Sequence, residues 1–380
     1  MAADKQDKVL NVPNLRFPEF KDEWELHPTT DFFEFKNGLN PDSKRFGSGT
    51  KFISVMDILN NRYITYDKII AFVEPKENDL KEYGVNYGDI LFQRSSETLE
   101  DVGRANVYLD KKTALFGGFV IRGKKIGEYN PLFFRYLLSS PHVRKRIVVK
   151  GAGAQHFNIG QDGLSKVYIF VPTTKEQERI ARLLDLLDER IETQIRIIDK
   201  LQSLMKGLAE HFTAFTPNIK IADCLNCHSS ILQENQVKDE GKYKVYGANG
   251  ICGYSDSPAI LEDTILIVKD GSGVGNVSYA SGEYSVIGTS NYLTAKSGYS
   301  LKYLYYCLMI FNFVPYRTGM AIPHIYFKDY GKALIYCPSL DKQIQIATLL
   351  SKIECKIEAE KTITDSYQQQ KRFLLQSMFI

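Results

Sequence analysis

Cys224-Leu225-Asn226-Cys227-His228 is the stretch of this chain whose residue types and spacing look most like a chemical site. Two thiols and an imidazole at C-x-x-C-H spacing match the attachment pattern of a c-type haem, and a cysteine pair beside a histidine could open a zinc site. A structural zinc site needs four ligands. No second close pair follows, because Cys252, Cys307, Cys337 and Cys355 are isolated. The stretch is therefore expected to hold free thiols in a strand or turn. Gly271-Ser272-Gly273-Val274-Gly275 follows an apolar strand-like run and invites a nucleotide reading. It lacks G-x-G-x-x-G spacing, and Asn276-Val277-Ser278-Tyr279 continues as a strand where a helix should open. A glycine-rich hairpin is expected. Its functional form would be a backbone loop close to a phosphate or a base edge.

Asn130-Pro131-Leu132-Phe133 is similar to the short Asn-or-acid/Pro/aromatic motif of amino-methyltransferases. It lacks the second proline and the preceding glycine turn of an AdoMet site, so it reads as a helix start, with Pro131 in the first turn. No P-loop, helicase motif, metal-nuclease carboxylate cluster or nucleophile elbow occurs, and the six histidines are scattered. What remains is polar and occurs twice. Arg144-Lys145-Arg146, with Arg135 and Lys150, lies beside Gly151-Ala152-Gly153-Ala154-Gln155-His156-Phe157-Asn158-Ile159. The second half places Tyr316-Arg317-Thr318-Gly319-Met320-Ala321-Ile322-Pro323-His324-Ile325 in the matching position. Arg94-Ser95-Ser96 and Lys269-Asp270-Gly271-Ser272 also coincide at strand ends. A charge run is ordinarily a solvated face. Glycine, an amide or imidazole, and a cation recurring together also suit phosphate clamping and base-edge contact.

A long repeat positions these loops. Val171-Pro172-Thr173-Thr174-Lys175-Glu176-Gln177-Glu178-Arg179-Ile180-Ala181-Arg182-Leu183-Leu184 returns without a gap as Cys337-Pro338-Ser339-Leu340-Asp341-Lys342-Gln343-Ile344-Gln345-Ile346-Ala347-Thr348-Leu349-Leu350, about 166 positions later. Solenoid units run about 20–50 residues, so this period signals two copies of a domain-plus-helix unit. Around it, strands are expected at 51–55, 89–92, 167–171 and 264–268, and short helices at 131–138 and 300–310. Gly275 answers Gly103, Gly288 answers Gly117 or Gly118, and Gly319 answers Gly153.

Long helices are expected after Pro172 and Pro338. Thr173 with Glu176 suits a capping box, whereas Ser339 has only Lys342 at the matching place. Leu184, Leu187, Ile191, Ile198, Leu201, Met205, Leu208 and Phe212 form a heptad seam in the first helix. In the second, Leu350, Ile353, Ile357, Glu360, Thr364, Tyr367, Lys371, Leu374 and Met378 give a seam with a polar middle. At about 1.5 Å per residue, roughly 38 residues span about 57 Å. The expected organisation is a mobile tail at 1–12, a mixed domain at 13–172, a helix at 173–213, a second mixed domain at 214–338 and a second helix at 339–380.

With 380 residues the chain is long enough for two or more domains, and 44% apolar with 24% charged residues is ordinary globular composition. A net charge of +3 announces no gross affinity for nucleic acid and leaves a local basic patch open. The first residues lack an apolar export core, and no apolar run is long enough to span a bilayer. All six cysteines lie after residue 220 without a pairing framework. A cytoplasmic protein with free thiols and no membrane partner is expected.

Together these features resemble the specificity subunits of type I restriction–modification systems. The resemblance rests on Pro13-Asn14-Leu15-Arg16-Phe17-Pro18-Glu19-Phe20 with Trp24, and on the two Pro-x-x-x-x-Gln-x-x-Ile-Ala-x-Leu-Leu helix starts. It rests also on Tyr246-Gly247-Ala248-Asn249-Gly250 and Met320-Ala321-Ile322-Pro323-His324-Ile325. It covers essentially the whole chain.

The resemblance implies an α+β fold: two target-recognition domains joined by two long antiparallel helices, with a pseudo-two-fold internal repeat. Each domain would read half of a bipartite site in double-stranded DNA. The helices would hold the domains apart and dock two methyltransferase subunits, through which restriction subunits join. AdoMet would then sit on the methyltransferase partner, and ATP and magnesium on the restriction partner, leaving this chain non-catalytic. The expected DNA contacts are Arg94, Ser95, Arg104, Lys150, Gln155, His156 and Asn158 in the first half. In the second they are Asn249, Lys269, Ser272, Asn276, Arg317 and His324. Gln177, Leu184, Leu187, Ile191, Gln343, Leu350, Ile353 and Ile357 are assigned to spacing and partner docking. The rival expectation is a coiled-coil scaffold that binds proteins and has no DNA specificity.

Overall fold

A computed structural model of the chain describes residues 10–380. Most of the expected N-terminal tail, residues 1–9, lies outside the described residues. Chain contacts separate two units: one runs to Gln194 and takes in Ile363–Ile380, and the other is Ile195–Thr362.

The first unit is built on four antiparallel strands: β1 (Phe33–Asn37), β2 (Ile90–Gln93), β3 (Ala105–Val107) and β4 (Val120–Lys125), in spatial order β1-β4-β2-β3. Successive side chains of a strand point to opposite faces. Ile90 and Phe92 enter one core with Ile121, Phe133 and Phe134, whereas Leu91 enters a second core with Ile53, Tyr108 and Val120. That is why β2 reads as an unbroken apolar run. The first core is roofed by α1 (Pro131–Ser139), whose Asn130 cap accepts from the Phe133 N–H. A second sheet places Phe46–Ile53 between antiparallel Phe72–Val73 and parallel Leu115–Phe116. Glu25–Pro28 pairs with Tyr168–Val171, which leads into the long helix α2 (Thr174–Thr213).

The second unit repeats this topology. Strands β5 (Leu225–Ser229), β6 (Thr264–Val268), β7 (Val277–Ala280) and β8 (Ser290–Ala295) take the order β5-β8-β6-β7, again antiparallel. Tyr243–Gly247 lies between antiparallel Gly250–Ser255 and parallel Tyr284–Val286. The helix α3 (Leu301–Met309) is capped by Ser300, and Ile219–Lys220 pairs with Leu334–Ile335 before the long helix α4 (Leu340–Ser377).

Each unit holds one end of each long helix. In the first, Ile180, Ala181, Leu184 and Leu187 of α2 share a core with Leu374 of α4 and with Met378 and Phe379 just beyond it. In the second, Ala209 of α2 shares a core with Ala347 and Leu350 of α4. Early turns of one helix thus lie with late turns of the other, the antiparallel arrangement. The polar seam residues Glu360 and Thr364 are buried where the heptad pattern puts them.

The repeated glutamine explains the repeat. Gln177 Nε2 donates to the Pro172 carbonyl at 2.9 Å, and its Oε1 accepts from the Asn130 N–H at 2.9 Å. Gln343 makes the same two bonds, to the Pro338 carbonyl and from the Ser300 N–H, each at 2.9 Å. Each amide ties the start of a long helix to the start of the short helix above it.

One local expectation fails. Glu176 does not close a capping box on Thr173. Its carboxylate takes a bidentate bond from Arg16 at 2.7 Å and another from the Trp24 indole at 3.3 Å. A buried carboxylate gains more from a fork-shaped cation than from one amide. Lys342 occupies the equivalent position in α4, so this pairing belongs to the first unit alone.

Candidate nucleic-acid interface

The polar loops of each unit meet at the end of its second main strand. In the first unit, the chain leaving β2 at Gln93 continues through Arg94 and Ser95. A hairpin from Ala152 to Asn158 folds against it: Asn158 pairs with Ser95, and the Ile159 N–H donates to the Arg94 carbonyl at 3.0 Å. Ala152 and Asn158 exchange backbone bonds at 2.9 and 2.8 Å. Gly103 (φ +68°) turns the chain back so that its N–H reaches the Gln93 carbonyl at 2.9 Å, which delivers Arg104 to the same edge. Side chains complete the cluster, with Ser95 Oγ donating to Asn158 Oδ1 at 2.5 Å.

The second unit builds the same object from different residues. The Ile325 N–H donates to the Lys269 carbonyl at 3.0 Å, Asp270 pairs with His324, and Thr318 and His324 exchange bonds at 2.9 and 2.7 Å. Gly275 (φ +88°) donates to the Val268 carbonyl at 2.9 Å and delivers Asn276. The hydrogen bonds therefore match Arg94 with Lys269, Ser95 with Asp270, Arg104 with Asn276, and Asn158 with His324. His324 Nδ1 lies 2.7 Å from Asp270 Oδ1, replacing the Ser95–Asn158 contact.

Six of the expected contact residues, three in each unit, thus sit directly on this framework: Arg94, Ser95, Asn158, Lys269, Asn276 and His324. Arg104 is delivered beside it and pairs with Asp101 at 2.6 Å. Gln155 and His156 are exposed within the hairpin 152–158, and Lys150 is exposed just before it. Ser272 is exposed in the glycine loop, and Arg317 Nη2 braces that loop through the Val274 carbonyl at 2.8 Å. Asn249 is exposed in the turn joining Tyr243–Gly247 to Gly250–Ser255. A Cβ on Gly273 would lie 3.8 Å from Ala248 O, so that turn adjoins the glycine loop.

The basic stretch before the hairpin is mostly structural. Arg144 Nη2 donates to the Glu100 and Val102 carbonyls at 2.8 and 2.7 Å. Burial lowers its guanidinium to about 10, with Arg104 adding to the effect. Arg146 donates to the Tyr168 carbonyl at 3.1 Å, and Arg135 pairs with Asp188 at 3.3 Å. Lys145 and Lys150 alone of the five stand exposed.

The spacing set lies inside the units. Leu184, Leu187, Leu350 and Ile357 are buried, Ile191 and Ile353 are half-buried, and the amides of Gln177 and Gln343 are used within the chain. Sequence reasoning missed Asp270, which it noted only as part of a string, and the matched carboxylates Asp188 and Glu354. Asp188 accepts from the Tyr136 hydroxyl at 2.9 Å and from Lys371 at 2.5 Å. Glu354 accepts from the Tyr306 hydroxyl at 2.9 Å and from Lys302 at 2.8 Å. The tyrosines Tyr136 and Tyr306, at the same step of α1 and α3, were the available signal.

The cysteine string dissolves into β5 and the turn before it. Cys224 Sγ donates to its own helical turn at the Ile221 carbonyl, 3.3 Å away. His228 meets Thr294 Oγ1 at 3.1 Å and stacks on Tyr292. Among the described residues no cluster of three or more histidine, cysteine or acidic side chains could hold a metal, and no helix is long and apolar enough to cross a membrane.

The model of the type I restriction modification DNA specificity domain matches this chain twice, at residues 21–203 and 219–367. A putative type I restriction enzyme MjaX specificity subunit of Methanocaldococcus jannaschii is 26% identical over 220 residues, 54% of this chain and 51% of that protein. The type I restriction enzyme EcoKI specificity subunit of Escherichia coli K12 is 25% identical over 185 residues, 48% of this chain and 39% of that protein. The chain spans about half the length, or less, of these curated relatives. Among solved structures, the S subunit of a type I restriction-modification system from Mycoplasma genitalium shares the fold, with a TM-score of 0.63 at 17% identity. That match covers 97% of this chain and 99% of the other. Two family matches on one repeated topology lead to a single conclusion: the chain belongs to the type I restriction modification DNA specificity domain family.

Proposed function

We propose that this chain is the DNA-reading subunit of a type I restriction–modification complex, with each unit reading one half of a bipartite, asymmetric site. One observation carries the reading. Two clusters built on the same backbone hydrogen bonds bear different side chains at every matched position. Equivalent frames with unlike polar groups suit two half-sites of different sequence in the major groove, where every base pair presents its own donor and acceptor pattern. Arg94, Arg104 and Lys150 with Gln155, His156 and Asn158 would contact the first half-site. Asn249, Lys269, Ser272, Asn276, Arg317 and His324 would contact the second.

The long helices would set the gap between half-sites and dock two methyltransferase subunits, which in turn carry the restriction subunits. AdoMet, ATP and magnesium would act on those partners, which supply adenine methylation and cleavage, and this chain would contribute no catalytic group. The modest net charge fits partners that provide part of the phosphate contact.

The test exchanges residues 218–336 for the same region of a relative and maps methylated sites in cells carrying the methyltransferase partner. One half of the methylated motif should change while the other half and the gap remain. A change in both halves, or in neither, overturns the reading. A protein that gives no DNA shift with its methyltransferase supports the scaffold instead.

A further inference from the structure

Asp270 and His324 replace a neutral pair, Ser95 and Asn158, at matched positions of the two units, and the replacement has directional consequences. A carboxylate only accepts hydrogen bonds, whereas neutral imidazole has one donor and one acceptor nitrogen. With His324 Nδ1 2.7 Å from Asp270 Oδ1, the imidazole proton belongs on Nδ1. A partner that fixes one ring nitrogen decides what the other can do. In the neutral ring Nε2 is left with its lone pair, and no hydrogen bond from the described chain reaches it.

The backbone that carries the ring is fixed on both sides of it. His324 is locked to Thr318 by two backbone bonds of 2.7 and 2.9 Å, and the Gly271 N–H donates to the Pro323 carbonyl at 3.0 Å. Gly319 (φ +87°) closes the hairpin so tightly that a Cβ there would meet the Ile322 carbonyl at 2.3 Å. The imidazole is 35% exposed and Asp270 is 34% exposed, so the pair is seated in the surface and still reachable.

The first unit offers the opposite polarity. Ser95 Oγ donates to Asn158 Oδ1 at 2.5 Å, taking one lone pair of that amide oxygen. The Asn158 amino group has only a long 3.4 Å contact with the His156 carbonyl and remains a donor.

We propose that Asp270 is a positioning residue that fixes the His324 tautomer, so that the second unit presents an acceptor to a base carrying an exocyclic amine, adenine or cytosine. This rests on the DNA-recognition reading above. In the major groove only adenine N6 and cytosine N4 donate; guanine and thymine offer acceptors. Asn158 in the first unit correspondingly faces an acceptor edge.

The test uses the full chain with its methyltransferase partner and duplexes carrying its mapped site. At each adenine or cytosine of the second half-site, the exocyclic amine is removed by substituting purine or 2-pyrimidinone. At one position the unmodified protein should lose roughly tenfold in affinity, the scale of one base-edge contact. His324→Ala should bind the natural site about tenfold more weakly and be indifferent to the loss of that amine. Asp270→Ala should retain His324 and its fold, by thermal melting, yet lose most of this discrimination. Ser95→Ala should leave the second half-site untouched. Additive effects of His324→Ala and amine removal at every position overturn the assignment, as does an Asp270→Ala protein that discriminates like the unmodified one. Failure of every protein to bind any duplex would instead remove the DNA reading itself, and this assignment with it.

Discussion

Gln177 and Gln343 show how a residue can repeat for a reason internal to the chain. Both are almost fully buried, and each satisfies a proline carbonyl and the N–H of a helix cap from another part of the chain. Their identity was legible in the sequence as the fixed point of the repeat. Their role was not, because the amide partners lie 47 and 43 residues away. Replacing Gln177 with leucine strands two buried polar groups, each costing about 1–3 kcal/mol. We expect a loss of about 2–4 kcal/mol in denaturant unfolding, with no change in the methylated motif. A stability within about 0.5 kcal/mol of the parent would contradict the staple. The loop residues were legible for a different reason. Glycine next to amides and cations marks loops at matching places in both halves. Asp270 escaped because an aspartate does not resemble Ser95 in type, and only the hydrogen-bond register puts the two in the same place.

Among elements, the long helices were the most legible, since a heptad seam is a local pattern and Leu184, Leu187, Leu350 and Ile357 sit where it predicts. The latch between α2 and α1 was not, because Asp188 and Tyr136 are 52 residues apart. Burial works against the Asp188 charge, but Lys371, Arg135 and the Tyr136 hydroxyl together outweigh it and hold the carboxyl below the ordinary range. A carboxyl lowered in the folded state contributes stability above its unfolded value and loses it as pH falls through the folded value. Melting temperature should therefore decline on acidification through and below the ordinary carboxylate range. Asp188→Asn should start lower at neutral pH and show a flatter acid limb. Parallel acid limbs for the two proteins would contradict the latch.

For the whole molecule, the sequence repeat understates the structural one. The helix starts align at a constant offset, whereas the strand ends do not: Arg94 matches Lys269 and Arg104 matches Asn276 at different separations, because the intervening loops differ in length. Strand pairing tolerates such loops, since connections run over the surface and carry few packing constraints. Four-stranded and three-stranded sheets of the same order therefore recur beneath dissimilar residues. The helices repeat their sequence because they pack the same way twice. The units keep the fold and diverge at the matched polar positions, as two readers of different half-sites would. The most direct measurement of this claim maps methylated sites in cells for two variants of the chain. One carries Arg94→Ala and Asn158→Ala, the other Lys269→Ala and His324→Ala. The account predicts that the first variant relaxes one half of the motif and the second relaxes the other, with the gap unchanged. Relaxation of the same half by both variants, or an unaltered motif in both, would contradict it.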